Sequence, residues 1–276
     1  MFEIHSFNHA AMATNFQARI CHEDRNYAAQ AAQAAFDLVD TLESNLSRFR
    51  PNSDVARIAD LAEGETMRLS EPVFACLQIA KRIEEVTSGA FSPTPAALQT
   101  QASLPQWELL RSEQSIRCRS GKLQFDLGAV GKGFGLDRMA ELLRKWDCSS
   151  FLLVAGGSSI LAGDPPATMP GWSCGLGEDD ASQRYYLTHG SLSGSGLAVQ
   201  GMHILDPRTG RAALRQKRAW VLADTASESD ALSTACMVLS EQELEQVLAQ
   251  CDGWLAFLDT DEGATPLGNR ILPIRA

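Results

Sequence analysis

The sequence has no Cys-x-x-C spacing, no long apolar run and no surplus of positive charge. Each absence closes off a class of function. Seven cysteines, an odd number, are scattered at Cys21, Cys76, Cys118, Cys148, Cys174, Cys236 and Cys251. That arrangement suits neither a zinc site nor a disulfide framework, so buried free thiols in a reducing compartment are expected. No apolar stretch approaches the roughly 18 residues of a membrane helix, so no membrane span is expected. The segment from Met1 to Ala11 holds two histidines and lacks the apolar centre of a signal peptide. A cytoplasmic location is therefore expected, or a periplasmic one with a leader removed. Lys and Arg number 24 against 34 Asp and Glu, a formal net charge of −10. Nucleic acid and anionic lipid are unfavourable partners for such a chain, although a local basic pocket for a phosphate stays open.

What is present is ordinary globular material. The 276 residues are 45% apolar and 21% charged, enough for a sizeable core. One unit over residues 1–276 is expected. Asn26 to Leu46 reads as a helix with Ala35, Leu38, Val39, Leu42 and Leu46 on one stripe. A second helix starts near Ser70 with Pro72 in its first turn and Gly89 as its stop. Cys76, Ile79, Ile83 and Val86 form its buried face. Lys122 to Leu127 alternates like a strand. A Gly-rich turn follows at 128–133, then a helical stripe of Leu136, Met139, Ala140 and Leu143, then a short apolar strand from Phe151 to Ala155. That order has the size of a βαβ unit, about 30 residues. Glu228 to Leu239 reads as a helix, and Ser240 with Glu243 as the capping box of another. Trp254 to Leu258 and Ile271 to Ile274 read as closing strands. Irregular spacing of helices and strands predicts a mixed α/β or α+β fold, not a regular doubly wound sheet.

Several constellations could carry chemistry. The turn Gly128-Ala129-Val130-Gly131-Lys132-Gly133 offers backbone N–H groups and an ammonium to phosphate oxygens. Its spacing matches neither standard nucleotide fingerprint, and on spacing alone a plain strand-to-helix turn is the better reading. Asp230 and Thr234 fall on one helix face, where a carboxylate and a hydroxyl can ligate a hard cation. The bland alternative is a dipole-facing Asp with a Thr bonded back to a carbonyl. His203 to Gly210 joins a potential general base to a β-turn built on Asp206-Pro207-Arg208-Thr209-Gly210. Ser193-Gly194-Ser195-Gly196 approaches a nucleophile elbow, but Ser193 stands where that motif needs Gly.

Each motif is ambiguous alone, but their order along the chain is not. Met12-Ala13-Thr14, Phe91-Ser92-Pro93-Thr94, Asp126 to Gly133, Asp137, Gly156-Gly157, His203 to Gly210 and Asp230-Ala231-Leu232-Ser233-Thr234 together resemble the FAD:protein FMN transferase (ApbE-like) family. The resemblance runs from about Met12 to Leu239. It implies an α+β fold with FAD in a cleft, and Mg²⁺-dependent transfer of FMN to a Thr or Ser hydroxyl of a flavin-accepting redox protein, with release of AMP. It implies that Asp230, Thr234 and the Ala129 carbonyl hold Mg²⁺. It implies that Met12, Thr14, Phe91, Pro93, Thr94, Asp126, Lys132, Gly133, Asp137, Gly156 and Gly157 shape the FAD site. His203 is the candidate base, with Asp206 as its orienter. Ala13, Ala59, Ser92, Ser158 and Gly196 depart from the family's usual Gly, Asn, Asp, acidic and aromatic residues. Those departures bear on flavin specificity and leave two alternatives open: an FAD pyrophosphatase giving FMN and AMP, or a non-catalytic flavin-binding relative.

Overall fold

The chain opens with a hairpin of β1 (Glu3–Ala11) and β2 (Thr14–His22), paired in register from Glu3–His22 to Ala11–Thr14. The structure, a computed structural model, describes residues 2–95, 105–176, 183–196, 204–213, 215–260, 263–270 and 274–275. Only Met12 and Ala13 lie between the two strands, and both have positive φ, 51° and 56°. A two-residue hairpin turn demands that conformation, because its twist then matches that of the strands.

Helix α1 (Arg25–Leu46) follows, capped by the Asp24 carboxylate, which accepts from the Asn26 and Tyr27 N–H groups. Its buried face runs through Ala28, Ala32, Ala35, Val39, Leu42 and Leu46, the stripe read from the sequence extended by two turns at the start, with Leu38 only partly buried. After α2 (Asp54–Ile58) and β3 (Thr66–Arg68) comes α3 (Glu71–Val86), with Pro in its first turn as expected. Gly89, at φ +80°, donates its N–H to the Glu84 carbonyl and closes that helix. Cys76 and Ile83 are buried on α3, whereas Ile79 and Val86 are only partly so.

The remaining elements are β4 (Gln106–Leu110), β5 (Ser115–Ser120), α4 (Gly131–Lys145), β6 (Phe151–Ala155), β7 (Ser159–Ala162), β8 (Trp172–Leu176), β9 (Gln183–Leu187), β10 (Gly190–Gly196), β11 (Arg218–Ala223), α5 (Ala226–Cys236), α6 (Glu241–Leu248), β12 (Leu255–Thr260), β13 (Gly263–Leu267) and β14 (Ile274–Arg275). One eight-stranded sheet has the order β1-β2-β6-β7-β10-β11-β12-β13; two three-stranded sheets have the orders β14-β9-β8 and β3-β5-β4. Every strand pair described is antiparallel. The fold is therefore α+β, as expected.

Three expectations need correction. Lys122 to Leu127 is not assigned as a strand: Leu123, Phe125 and Leu127 are buried as the alternation predicts, but among the described residues no ladder partner lies beside them. The Asp126 N–H instead bonds the Pro93 carbonyl at 2.8 Å. Alternation reports which side is buried, and an extended segment lying on a core satisfies it without a sheet. The βαβ unit fails with it, since β6 pairs antiparallel with β2 and β7. The helix read from Glu228 to Leu239 begins two residues earlier and ends at Cys236, with Thr225 as its cap. Of the strand read at Ile271 to Ile274, residues 271–273 lie outside the described part of the chain.

Helix α5 is the centre of the fold. It packs against α4, β10 and β11, and nine of its residues are buried, among them Ser227, Ser229, Asp230 and Ser233. All seven cysteines are free and all but Cys251 are buried. Burial pushes the Cys76 and Cys236 thiols up to about 12, which leaves them unreactive. Among the described residues, no helix is long and apolar enough to cross a membrane.

The β1–β2 turn yields a first prediction. A non-glycine residue held at positive φ carries strain that Gly avoids, less the extra entropy Gly loses on folding. Ala13→Gly should therefore stabilise the protein by about 0.5–1 kcal/mol. The check is a urea midpoint that rises at unchanged slope.

Candidate active site

The first half of the site is the turn leading into α4. The Asp126 carboxylate accepts from the Gly128 N–H at 2.9 Å, and the Leu127 carbonyl accepts from the Val130 and Gly131 N–H groups. The Gly133 N–H points away from the turn, to Asp230 Oδ2 at 3.1 Å. The N–H groups of Gly128, Val130, Gly131 and Gly133 are thus committed inside the protein. With those four N–H groups engaged, the arrangement matches the plain tight turn into a helix. Gly133 is required by proximity: a Cβ there would lie 2.1 Å from the Ala226 carbonyl oxygen, on α5. What the turn presents is its carbonyls and Lys132. The Lys132 ammonium sits 3.1 Å from the Gly128 carbonyl oxygen and 3.3 Å from Asp230 Oδ1.

The second half is α5. Asp230 is 3% exposed. Its Oδ2 takes the Gly133 N–H, and its Oδ1 takes the Ser159 hydroxyl at 3.1 Å and faces Lys132. Thr234 lies one turn further on, its hydroxyl 3.4 Å from the Asp230 carbonyl and 3.3 Å from the Ser195 hydroxyl. The pair therefore shares a face, as the spacing implied, and the Thr bonds back to the helix as the bland reading had it.

A seam of hydroxyls fixes this helix. Ser191, Ser193 and Ser195 alternate along β10, so they share one side of the sheet. Ser191 and Ser193 reach the Ser229 hydroxyl at 2.7 and 2.8 Å, and Ser195 reaches that of Ser233 at 2.9 Å. Two residues of strand and four of helix cover similar lengths, roughly 6–7 Å, so the two rows stay in step. The segment that resembled a nucleophile elbow is this seam. Its signal in the sequence is a period of two in serine opposite a period of four.

Other expected residues gather around these halves. Gly156 and Gly157 form the β6–β7 turn with φ of +61° and +69°. The Gly156 N–H bonds the Asn15 carbonyl, and a Cβ at Gly156 would meet the Thr14 hydroxyl at 2.6 Å. Met12 packs against both helical cores beside α4. Phe91, Pro93 and Thr94 are buried next to the 126–128 turn, tied to it by the Pro93 carbonyl. Arg48 and Phe49 were not expected from the sequence. Arg48 Nε is 3.4 Å from Asp126 Oδ2, and its guanidinium covers the Phe49 ring at 4.2 Å. That ring is 78% exposed. A large aromatic left in water beside the turn is the feature composition could not have revealed.

His203 lies outside the described residues. Asp206 does not: both its carboxylate oxygens are held by the Arg208 guanidinium at 3.0 Å, and Arg208 also reaches Glu243 Oε1 at 2.8 Å. The Ser240 N–H and then Arg208 pull the Glu243 carboxyl down to about 2. Asp206 thus anchors its own turn, through Arg208, to the capping box of α6.

The sequence profile of the ApbE family matches residues 12–258. The chain belongs to the ApbE family. It is 23% identical over 292 residues to the FAD:protein FMN transferase of Escherichia coli (strain K12), covering 91% of this chain and 83% of that protein. It is 24% identical over 272 residues to the FAD:protein FMN transferase of Treponema pallidum (strain Nichols), covering 81% and 75%. Among solved structures, the flavin transferase ApbE from Vibrio cholerae superposes with a TM-score of 0.80 at 17% identity, covering 96% of this chain and 97% of that one. The apo flavinyl transferase ApbE of Pseudomonas stutzeri gives 0.81 at 20%, covering 96% and 93%.

Asp137, expected in the FAD site, acts inside this ApbE-family fold as the anion at the α5 N-terminus. Its carboxylate accepts from the Ala226 N–H at 2.7 Å, the Ser227 N–H at 2.9 Å and the Ser227 hydroxyl. Burial nevertheless pushes its carboxyl up to about 6, outweighing those bonds. A carboxyl with a raised folded pKa stabilises most when protonated, below the unfolded pKa near 4. That contribution is lost as pH rises through 6. The stability difference between wild type and Asp137→Asn should shift against the wild type by roughly 2 kcal/mol between pH 4 and pH 7. Paired urea titrations across that range measure it; a difference that does not change with pH contradicts the assignment.

Proposed function

We propose that this chain transfers FMN from FAD to a Thr or Ser hydroxyl of a flavin-accepting redox protein, releasing AMP, with Mg²⁺ required. The observation that carries the reading is the buried Asp230, facing a cation between the Gly-rich turn and α5. Family membership and the activity named for the relatives support it from a separate direction.

The donor set suits Mg²⁺. Asp230, Thr234 and the carbonyls of the Gly128-Ala129 turn are all hard oxygens, and Mg²⁺ is held by one or two carboxylates plus substrate phosphates. The Lys132 ammonium, bonded to both Gly128 and Asp230, marks the place as one built to compensate positive charge. In this reading Asp230, Thr234 and the Ala129 carbonyl hold the ion. When bound, Mg²⁺ supplies charge neutralisation at the pyrophosphate and its leaving oxygen.

The chain's own groups do the rest. The acceptor hydroxyl oxygen bonds to the FMN phosphorus, the bond from that phosphorus to the AMP oxygen breaks, and AMP departs. His203 takes the hydroxyl proton, and the Asp206–Arg208–Glu243 clasp steadies the turn that follows it in sequence. Lys132 balances phosphate charge. Phe49 offers a flat apolar face to an aromatic ring system, while Met12, Thr14, Phe91, Pro93, Thr94, Asp126, Gly156 and Gly157 set the shape around it. Gly133 and Asp137 act one layer further out, by setting α5 against α4.

Incubation with FAD, Mg²⁺ and a purified acceptor domain should yield protein-bound flavin and AMP in equal amounts. Asp230→Asn should lower that rate at least about a hundredfold, the scale expected when a metal-holding group is lost. Wild-type turnover by that variant contradicts the metal role. Free FMN and AMP without acceptor indicate the pyrophosphatase, and unchanged bound FAD a binding protein.

A further inference from the structure

We propose that Lys132 is a resident cation that must leave Asp230 before a divalent cation can bind there, so that metal entry and release of the lysine are one exchange. The proposal rests on the Mg²⁺ reading above and adds to it a competitor built into the chain.

Three donors satisfy the Asp230 carboxylate, and they differ in their freedom to move. The Gly133 N–H belongs to helical backbone, and that helix packs too closely on α5 for even a Cβ between them. The Ser159 hydroxyl sits on a fully buried strand residue. Both are neutral, so both can remain when a cation approaches. Lys132 is neither fixed nor neutral. Its ammonium lies 3.3 Å from Oδ1 and 3.1 Å from the Gly128 carbonyl oxygen, at the end of a flexible stem that is 24% exposed. A cation ligated at about 2 Å by the same Oδ1 stands within a few ångströms of that ammonium, in a site with little water. Like charges at that separation, sharing one oxygen, exclude each other. The carboxylate cannot be left alone in the metal-free protein, because a buried charge without a partner is costly. Lys132 therefore holds the site together when it is empty of metal. The exchange frees the ammonium from Oδ1 on its flexible, partly exposed stem.

The experiment uses the whole chain without FAD. Mn²⁺ binding is followed by the loss of the free-ion electron-paramagnetic-resonance signal, for wild type, Lys132→Met and Lys132→Arg. Separately, wild type is treated with an amine-selective acylating reagent with and without Mg²⁺. Labelling at Lys132 is then read by mass spectrometry against the exposed Lys122. The exchange predicts that Lys132→Met binds Mn²⁺ about tenfold more tightly or better, that Lys132→Arg does not, and that Mg²⁺ raises labelling of Lys132 several-fold while Lys122 is unchanged. Should Lys132→Met fail to fold, the labelling of wild type decides alone. Metal binding without a change in Lys132 labelling overturns the exchange and leaves the Mg²⁺ reading standing. Failure of both the wild type and Lys132→Met to bind Mn²⁺ overturns the exchange and the Mg²⁺ reading together.

Discussion

A carboxylate buried at a helix crossing needs partners from more than one element, and Asp230 draws its partners from two besides its own. The Gly133 N–H and the Lys132 ammonium come from α4, the Ser159 hydroxyl from β7, and the helix that carries Asp230 is α5. Charge-assisted bonds of this kind are worth more than neutral ones, and losing one strands a charge in a poorly hydrated place. The crossing of α4 on α5 is therefore both a packing contact and the frame of the site. Gly133 allows the approach, Asp137 ties the first turn of α5 to α4, and the serines of β10 hold the adjoining face of α5.

This frame changes what the glycines mean. A Gly-rich turn before a helix suggests backbone reaching for phosphate, yet its N–H groups are largely spent on Leu127, Asp126 and Asp230. The turn gives the site carbonyl oxygen and one lysine instead, a composition suited to a cation and the anion it accompanies. The Asp206–Arg208–Glu243 clasp works at a similar remove, since it fastens the segment after His203 to the start of α6.

Much of this was legible beforehand because local rules report local facts. The α1 stripe, the Pro in the first turn of α3, the α4 stripe and the capping box at Ser240 all follow from side-chain periodicity and end chemistry, and all are present. The i, i+4 pairing of Asp230 with Thr234 was legible for the same reason. Residues 122–127 were misread because alternation encodes burial, while a strand also needs a neighbour, which can come from anywhere in the chain. The serine seam, the Arg48–Asp126 pair and the bonding of Asp137 to the first turn of α5 were hidden because each joins residues far apart in sequence. Asp137 shows the limit best. Its motif position suggested a ligand contact, but its partners are the first N–H groups of a helix almost 90 residues later.

The most direct test of this account is the stability of Gly133→Ala. Helix propensity alone favours Ala by about 1 kcal/mol. The close approach to the Ala226 carbonyl predicts the opposite sign: a loss of about 2 kcal/mol or more in chemical denaturation, because backbone on both sides must yield. Stability equal to or above that of the wild type would mean that α4 and α5 do not meet at Gly133, and that the site is not framed by this crossing.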